Sequence, residues 1–253
     1  MTRRTSTRIG VISDVHGDYA ALQDALREFA RLDVAEVLCA GDLLDWGPSP
    51  VRCIELLHER RIPCVRGNHD FLDAGGDLFD VPKFLNPKAA AFIDALPFTL
   101  SRRVAGVRVV VTHARPGDVM RGIHPDRAEV GAHLVAAAAD VLVVGHTHVP
   151  MNLETPKGSI VNPGSLLRQP PGAERVPTSG TFGVIELPSR RFTVHRATDG
   201  AELGSCNAER PTNNRHRRDR VEPDPCRRCP HPRSQARTKS GRHGCELGMI
   251  ALS

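Results

Sequence analysis

At 253 residues, 40% hydrophobic and 25% charged, the chain is long enough for a substantial core and is ordinary in composition for a globular protein. No apolar run approaches the roughly 20 residues of a membrane span, and the apolar piece after the basic start MTRRTSTR is too short for a secretory signal. Membrane and secreted classes are set aside, a cytoplasmic location is expected, and the surplus charge is traced to one end: residues 1–200 carry 23 basic and 23 acidic side chains, residues 201–253 carry 11 and 6.

RIGVIS (8–13) reads as a short buried strand, followed by a loop and a helix over 19–32 with Leu22, Leu26 and Phe29 at helical spacing. AEVLCAGD (35–42) is a second strand. PSPVRCIELLHERR (48–61) is a helix with Pro in its first turn, where the missing N–H costs nothing. IPCVRGN (62–68) reads as a third strand. Strands alternating with helices at this spacing argue for parallel pairing.

Further along, 86–96 is expected as a helix and 101–113 as a hairpin turning at Ala105-Gly106. A helix over 126–139 leads into the strand DVLVVGHTHVP (140–150). GSIVNPGS, TFGVIEL and RFTVHRA read as three more strands, two of them an antiparallel pair. The whole is an α/β sandwich with enough strands for two facing sheets.

Past about residue 200 the pattern stops, so the organisation expected is one domain over 1–200 and a basic, disordered tail over 201–253. A shifted reading frame would produce the same break. The tail has no aromatics, which argues against stacking on bases and leaves only weak electrostatic contact with nucleic acid. Its Cys226-x-x-Cys229 pair, followed by His231, lacks a second well-spaced pair and is not expected to hold zinc. Cys39, Cys53 and Cys64 lie in apolar context and read as reduced core residues.

The chemistry sits where strands end. After the first strand come Asp14 and His16, after the second Asp42 and Asp45, after the third Asn68, His69 and Asp70. The hairpin ends in Thr112-His113. The later strand ends in Gly145-His146-Thr147-His148, and in an extended segment i and i+2 point the same way, so both imidazoles could face one site. A lone Gly-Asp or Gly-Asn is ordinary turn chemistry; five such groups at five strand ends are not. Carboxylate, carboxamide oxygen and neutral imidazole suit borderline divalent cations. So many candidate ligands are too many for one ion and suit a pair roughly 3.5–4 Å apart, as used for in-line displacement at phosphorus.

Asp-x-His, Gly-Asp-x-x-Asp, Gly-Asn-His-Asp, Thr-His and Gly-His-Thr-His, in this order, resemble the calcineurin-like metallophosphoesterase superfamily, in its small bacterial phosphodiesterase-like branch. GPSP, THARPGD and VNPGS add to the likeness, which covers about residues 8–197. The resemblance implies an α/β fold, a four-layer α/β/β/α sandwich of two mixed sheets flanked by helices. It implies two divalent ions, Mn²⁺ first and Fe, Zn or Ni as alternatives. Asp14, His16 and His148 would hold one ion, Asn68, His113 and His146 the other, and Asp42 would bridge them. A bridging hydroxide would attack phosphorus in line, with His69 as general acid oriented by Asp45.

Arg66 and Arg115 are candidates for phosphate oxygens by their place beside the motifs. The stretch 71–88 is expected to wall the site. The leading expectation is an enzyme cleaving small phosphodiesters, and also monoesters, without a membrane partner. Protein and diadenosine polyphosphate phosphatases of the superfamily carry Asp-Arg-Gly where this chain has Asp45-Trp46-Gly47, which counts against that alternative. A non-catalytic scaffold on the same fold would be expected to have lost ligands, and here all seven are present.

Overall fold

The computed structural model describes residues 6–71, 85–125, 127–168 and 180–204. Strand β1 (Thr7–Ile12) leads into helix α1 (Tyr19–Arg31), then strand β2 (Glu36–Cys39) and helix α2 (Pro50–Glu59). Helix α1 begins at Tyr19 because the Asp18 side chain accepts the Ala21 N–H at 2.9 Å, satisfying an otherwise orphaned donor. Pro50 opens α2. Helix α3 (Pro87–Asp94) is capped in the same way as α1, by Asn86 on the Ala89 N–H.

Strands β3 (Thr99–Val104) and β4 (Val107–Thr112) form a hairpin through Ala105 and Gly106, whose φ angles are 50° and 83°. Two consecutive left-handed residues make the turn that matches the natural strand twist. Helix α4 (Arg127–Ala137) and strands β5 (Val141–Val143), β6 (Met151–Thr155), β7 (Gly158–Asn162), β8 (Thr181–Leu187), β9 (Arg191–Arg196) and β10 (Glu202–Gly204) follow.

Among the described residues the strands form two sheets, in the orders β10-β9-β8-β1-β2 and β3-β4-β5-β7-β6. β1 and β2 are parallel, as are β4, β5 and β7; the remaining pairs are antiparallel, so both sheets are mixed. Ile9, Val11, Leu38, Val109, Val141 and Val161 fill the space between the sheets. Alternate residues turn outward. Ile12 packs with Leu22, Phe29 and Leu57 of α1 and α2, while Val110, Leu142 and Ile160 pack with Val130 and Leu134 of α4. The result is helix, sheet, sheet, helix. Strands buried on both faces explain the almost unbroken apolar runs at 107–111 and 141–144.

Residues 62–68 do not form the expected third strand. They make an isolated parallel bridge between Cys39 and Cys64. Pro63 has no N–H to give, and after Val65 donates to Cys39 the Arg66 N–H turns away to the Pro97 carbonyl, which ends the ladder. Strands β6 and β10 have no counterpart in the sequence reading. Asn152 and Glu154 interrupt the first with residues poor in strand propensity, and β10 is only three residues long. Residues 72–84 of the expected active-site wall, and 205–253 of the expected tail, lie outside the described residues.

Candidate metal centre

The parallel strands β1, β2, β4 and β5 all end at one edge of the sandwich, and their last residues are bound together by the backbone. Asp14 N–H donates to Gly41 O at 2.9 Å, His16 N–H to Asp42 O at 2.9 Å, and Gly145 N–H to His113 O at 2.8 Å. The two sheets meet where His146 N–H donates to Asp14 Oδ2 at 3.2 Å. Asp14, His16, Asp42, Asp45, Trp46, His146 and His148 all have positive φ. Left-handed backbone in non-glycine residues is costly, and its concentration here marks a site rather than a packing device.

Asp14, His16, Asp42 and His148 each place a ligand atom within 4.8 Å of the others. A second group adjoins them. His113 Nε2 lies 2.9 Å from Asn68 Oδ1 and 3.2 Å from Asp42 Oδ2, and His146 Nδ1 lies 2.8 Å from the same Asn68 oxygen. His146 and His148 thus turn to different partners. The chain leaves the strand at Val143, and with φ of 68° and 58° the two residues are not extended, so strand alternation does not describe them.

The donor set fits cations. His16 Nδ1 donates to Leu44 O and His113 Nδ1 to Ala40 O, each at 2.7 Å, which aims both Nε2 atoms at the cluster. His16 Nε2 then points at His148 Nε2, 3.3 Å away, and His113 Nε2 points at two oxygens. Asp14 Oδ1 is fully buried without an aligned hydrogen bond, although His148 Nε2 is 3.1 Å from it. Groups converging in this way need positive charge between them, supplied by protons on the imidazoles or by a cation that displaces those protons.

The titration behaviour follows from the same arrangement. Burial opposes the charged form of Asp42, yet His113 and His16 around it hold its carboxyl well below the usual range. Burial would likewise strip His113 of its proton, but the neighbouring Asp42 and Asp14 charges outweigh this and push it up to about 10. At His16 burial wins and lowers the imidazole to about 4.

His69 stands beside the cluster with Nδ1 2.7 Å from Asp45 Oδ2. Trp46 lies over the site, its ring 4.2 Å from His16, 4.9 Å from His69 and 5.6 Å from His148 between centroids. Both arginines have partners outside the cluster. Arg66 donates to Ile93 O at 2.8 Å and Asp94 O at 2.6 Å, closing the C-terminus of α3. Arg115 donates to Gly122 O and pairs with Glu129 at 3.4 Å, while also lining a cavity of about 340 Å³ next to His113, Phe71 and Phe98.

The roles of three residues escaped the sequence reading. The Asp70 carboxylate accepts the N–H groups of Gly67, Asp42, Leu43 and Leu44 at 2.8–3.2 Å and so ties two ligand-bearing loops together. Burial and the adjacent Asp42 charge push its pKa up to about 6. Asn162 donates to Gly145 O at 2.8 Å, and Ser165 Oγ donates to Asp14 O at 3.0 Å. The motifs GNHD and VNPGS contain all three, but residue type alone gives no hint that they serve the backbone.

A family model for the calcineurin-like phosphoesterase superfamily domain matches residues 7–188. The chain belongs to that superfamily. As a calcineurin-like phosphoesterase it is a metal-dependent phosphoric ester hydrolase. An uncharacterized protein of Methanocaldococcus jannaschii is 26% identical over 187 residues, which is 62% of this chain and 75% of that protein. Serine/threonine-protein phosphatase 1 of Salmonella typhimurium is 33% identical over 126 residues, 42% of this chain and 58% of the phosphatase. Among solved structures, a metallophosphoesterase from Sphaerobacter thermophilus has a TM-score of 0.60 at 24% identity, covering 76% of this chain and 88% of that one. Yfce, a phosphoesterase from E. coli, has a TM-score of 0.51 at 20% identity, covering 78% and 97%. Both structures share the four-layer fold.

Proposed function

We propose that the protein hydrolyses small phosphodiesters, and also monoesters, with two divalent cations, Mn²⁺ foremost, seated among the seven donors. The observation that carries this reading is the convergence of His113 Nε2 on both Asn68 Oδ1 and Asp42 Oδ2, at 2.9 and 3.2 Å, beside the buried group of Asp14, His16, Asp42 and His148. Asp14, His16 and His148 are assigned to one cation, Asn68, His113 and His146 to the other, and Asp42 to both. When bound, such a pair activates water and neutralises the phosphoryl oxygens.

The chain's own residues do the rest. His69 protonates the departing oxygen, and the Asp45 carboxylate holds its Nδ1–H and stabilises the imidazolium from which the proton leaves. Arg115 is assigned to phosphate oxygens, because it lines the cavity beside His113 and its pairing with half-exposed Glu129 is weak. Arg66 is assigned to α3, whose carbonyls hold it. The stretch of similarity to a protein phosphatase favours a second reading, phosphoprotein hydrolysis. Trp46, at the position of that group's phosphate-gripping arginine, weighs against it.

Hydrolysis of bis-p-nitrophenyl phosphate and p-nitrophenyl phosphate is the test, run with chelator, with Mn²⁺ restored, and beside Asp42→Asn. The expected result is metal-restored turnover that favours the diester and is lost in the variant. A folded protein inactive with every divalent metal would support the scaffold reading instead.

A further inference from the structure

Trp46 is the part of the site that the reaction outlined above leaves without a task. Its ring packs on the metal-facing His16 and borders His69, yet 54% of the residue is exposed. Exposing an indole forgoes the burial energy that the chain's largest side chain would otherwise contribute. The backbone adds a second cost, because Asp45 and Trp46 are consecutive non-glycine residues at φ of 71° and 58°. The strain at Asp45 places its carboxylate on His69. The strain at Trp46 places an exposed aromatic surface at the mouth of the site. Gly47 N–H donates to His16 O at 2.7 Å, which ties the strained turn to the loop carrying a candidate ligand. The ring is thus held in place over the histidines, with its remaining surface open.

From this geometry we infer that Trp46 is a stacking platform for a planar group of the substrate, and that the phosphoesters taken by this site carry a nucleobase. The inference rests on the phosphoesterase reading of the same site. The neighbour His69 places the platform on the side where the leaving group departs, so the base belongs to a departing nucleoside. A neutral indole cannot grip phosphate as arginine does, but its face accepts a base of any identity. The site then selects a class, nucleoside esters, rather than one base.

Trp46 is the single tryptophan of the chain, so protein fluorescence excited at the indole edge reports on this ring alone. The Mn²⁺-loaded protein is titrated with AMP and, separately, with ribose 5-phosphate, which keeps the sugar and phosphate but lacks the base. The expected result is stronger quenching by AMP and about tenfold tighter binding, the weight of one base stacked on an aromatic ring. The same two compounds, used as inhibitors of bis-p-nitrophenyl phosphate hydrolysis, should keep that preference in Trp46→Tyr and lose it in Trp46→Leu. Equal binding of the two by the wild type overturns the inference. So does a preference that survives Trp46→Leu, which would make the ring an apolar cover for His16. Wild type that discriminates AMP by fluorescence but never hydrolyses the diester would overturn the hydrolase reading and leave the platform standing.

Discussion

Asp45 Oδ2 lies 2.7 Å from Nδ1 of His69, whose ring is almost fully buried. The two residues come from different loops, one after β2 and one after the Cys64 bridge, so the contact fixes one face of the site against another. If His69 delivers a proton to the leaving oxygen, good leaving groups should not need it. His69→Asn is expected to slow alkyl phosphoesters by about 10²–10⁴-fold and p-nitrophenyl esters far less. Equal losses on both substrates would remove the acid role.

Gly67 is a position where close approach matters. A Cβ there would overlap the Asp42 carboxylate oxygen and press on the Asp42 backbone nitrogen, both rigidly held. Gly67→Ala should therefore displace the residue assigned to both cations. The expected effect is Mn²⁺ binding weakened by about 10- to 100-fold, read by calorimetry, with the far-ultraviolet spectrum retained. Unchanged affinity would mean that the two loops tolerate separation.

The side chain of Asp18 caps α1 and also receives the Arg168 backbone N–H at 3.0 Å and its guanidinium at 2.9 Å. Asp18→Ala removes a cap and an anchor together and should cost about 1–2 kcal/mol in urea unfolding. Arg168→Ala removes two partly exposed ion pairs, to Asp18 and Asp24, keeps the backbone N–H, and should cost less than about 1 kcal/mol. The reverse order would show that the ion pair, not the cap, carries the stability.

Cys39, Cys53 and Cys64 are buried in the core without disulfides, and burial pushes the Cys53 thiol up to about 12. The thiolate is the reactive form, so near pH 8 Cys53 should resist iodoacetamide until the protein is unfolded, and burial should shield Cys39 and Cys64 in the same way. Peptide mapping of the alkylated native protein checks this. Rapid labelling of any of the three would place it outside the core.

The strand ends were legible because glycine, aspartate and histidine stand there against apolar runs, a contrast that survives in the bare sequence. Helix α1 and the Ala105-Gly106 turn were legible for the same reason, since local chemistry decides them. The role of Asp70 was not, because its work is done on four backbone N–H groups drawn from two loops. Arg66 and Arg115 stand beside motifs, but adjacency in the chain does not show that their long side chains also reach the carbonyls of Ile93 and Gly122. Residues 62–68 have strand composition, yet Pro63 and the turn of Arg66 toward Pro97 leave them one bridge.

The His146 N–H to Asp14 Oδ2 contact crosses from one sheet to the other, and the donors around it are drawn from both. A cation held among them would work as a rivet through the two halves of the sandwich. Its binding energy then adds directly to the energy that keeps the halves together, growing with the logarithm of free metal concentration. Starving the protein of metal would loosen the scaffold along the same seam that silences the chemistry.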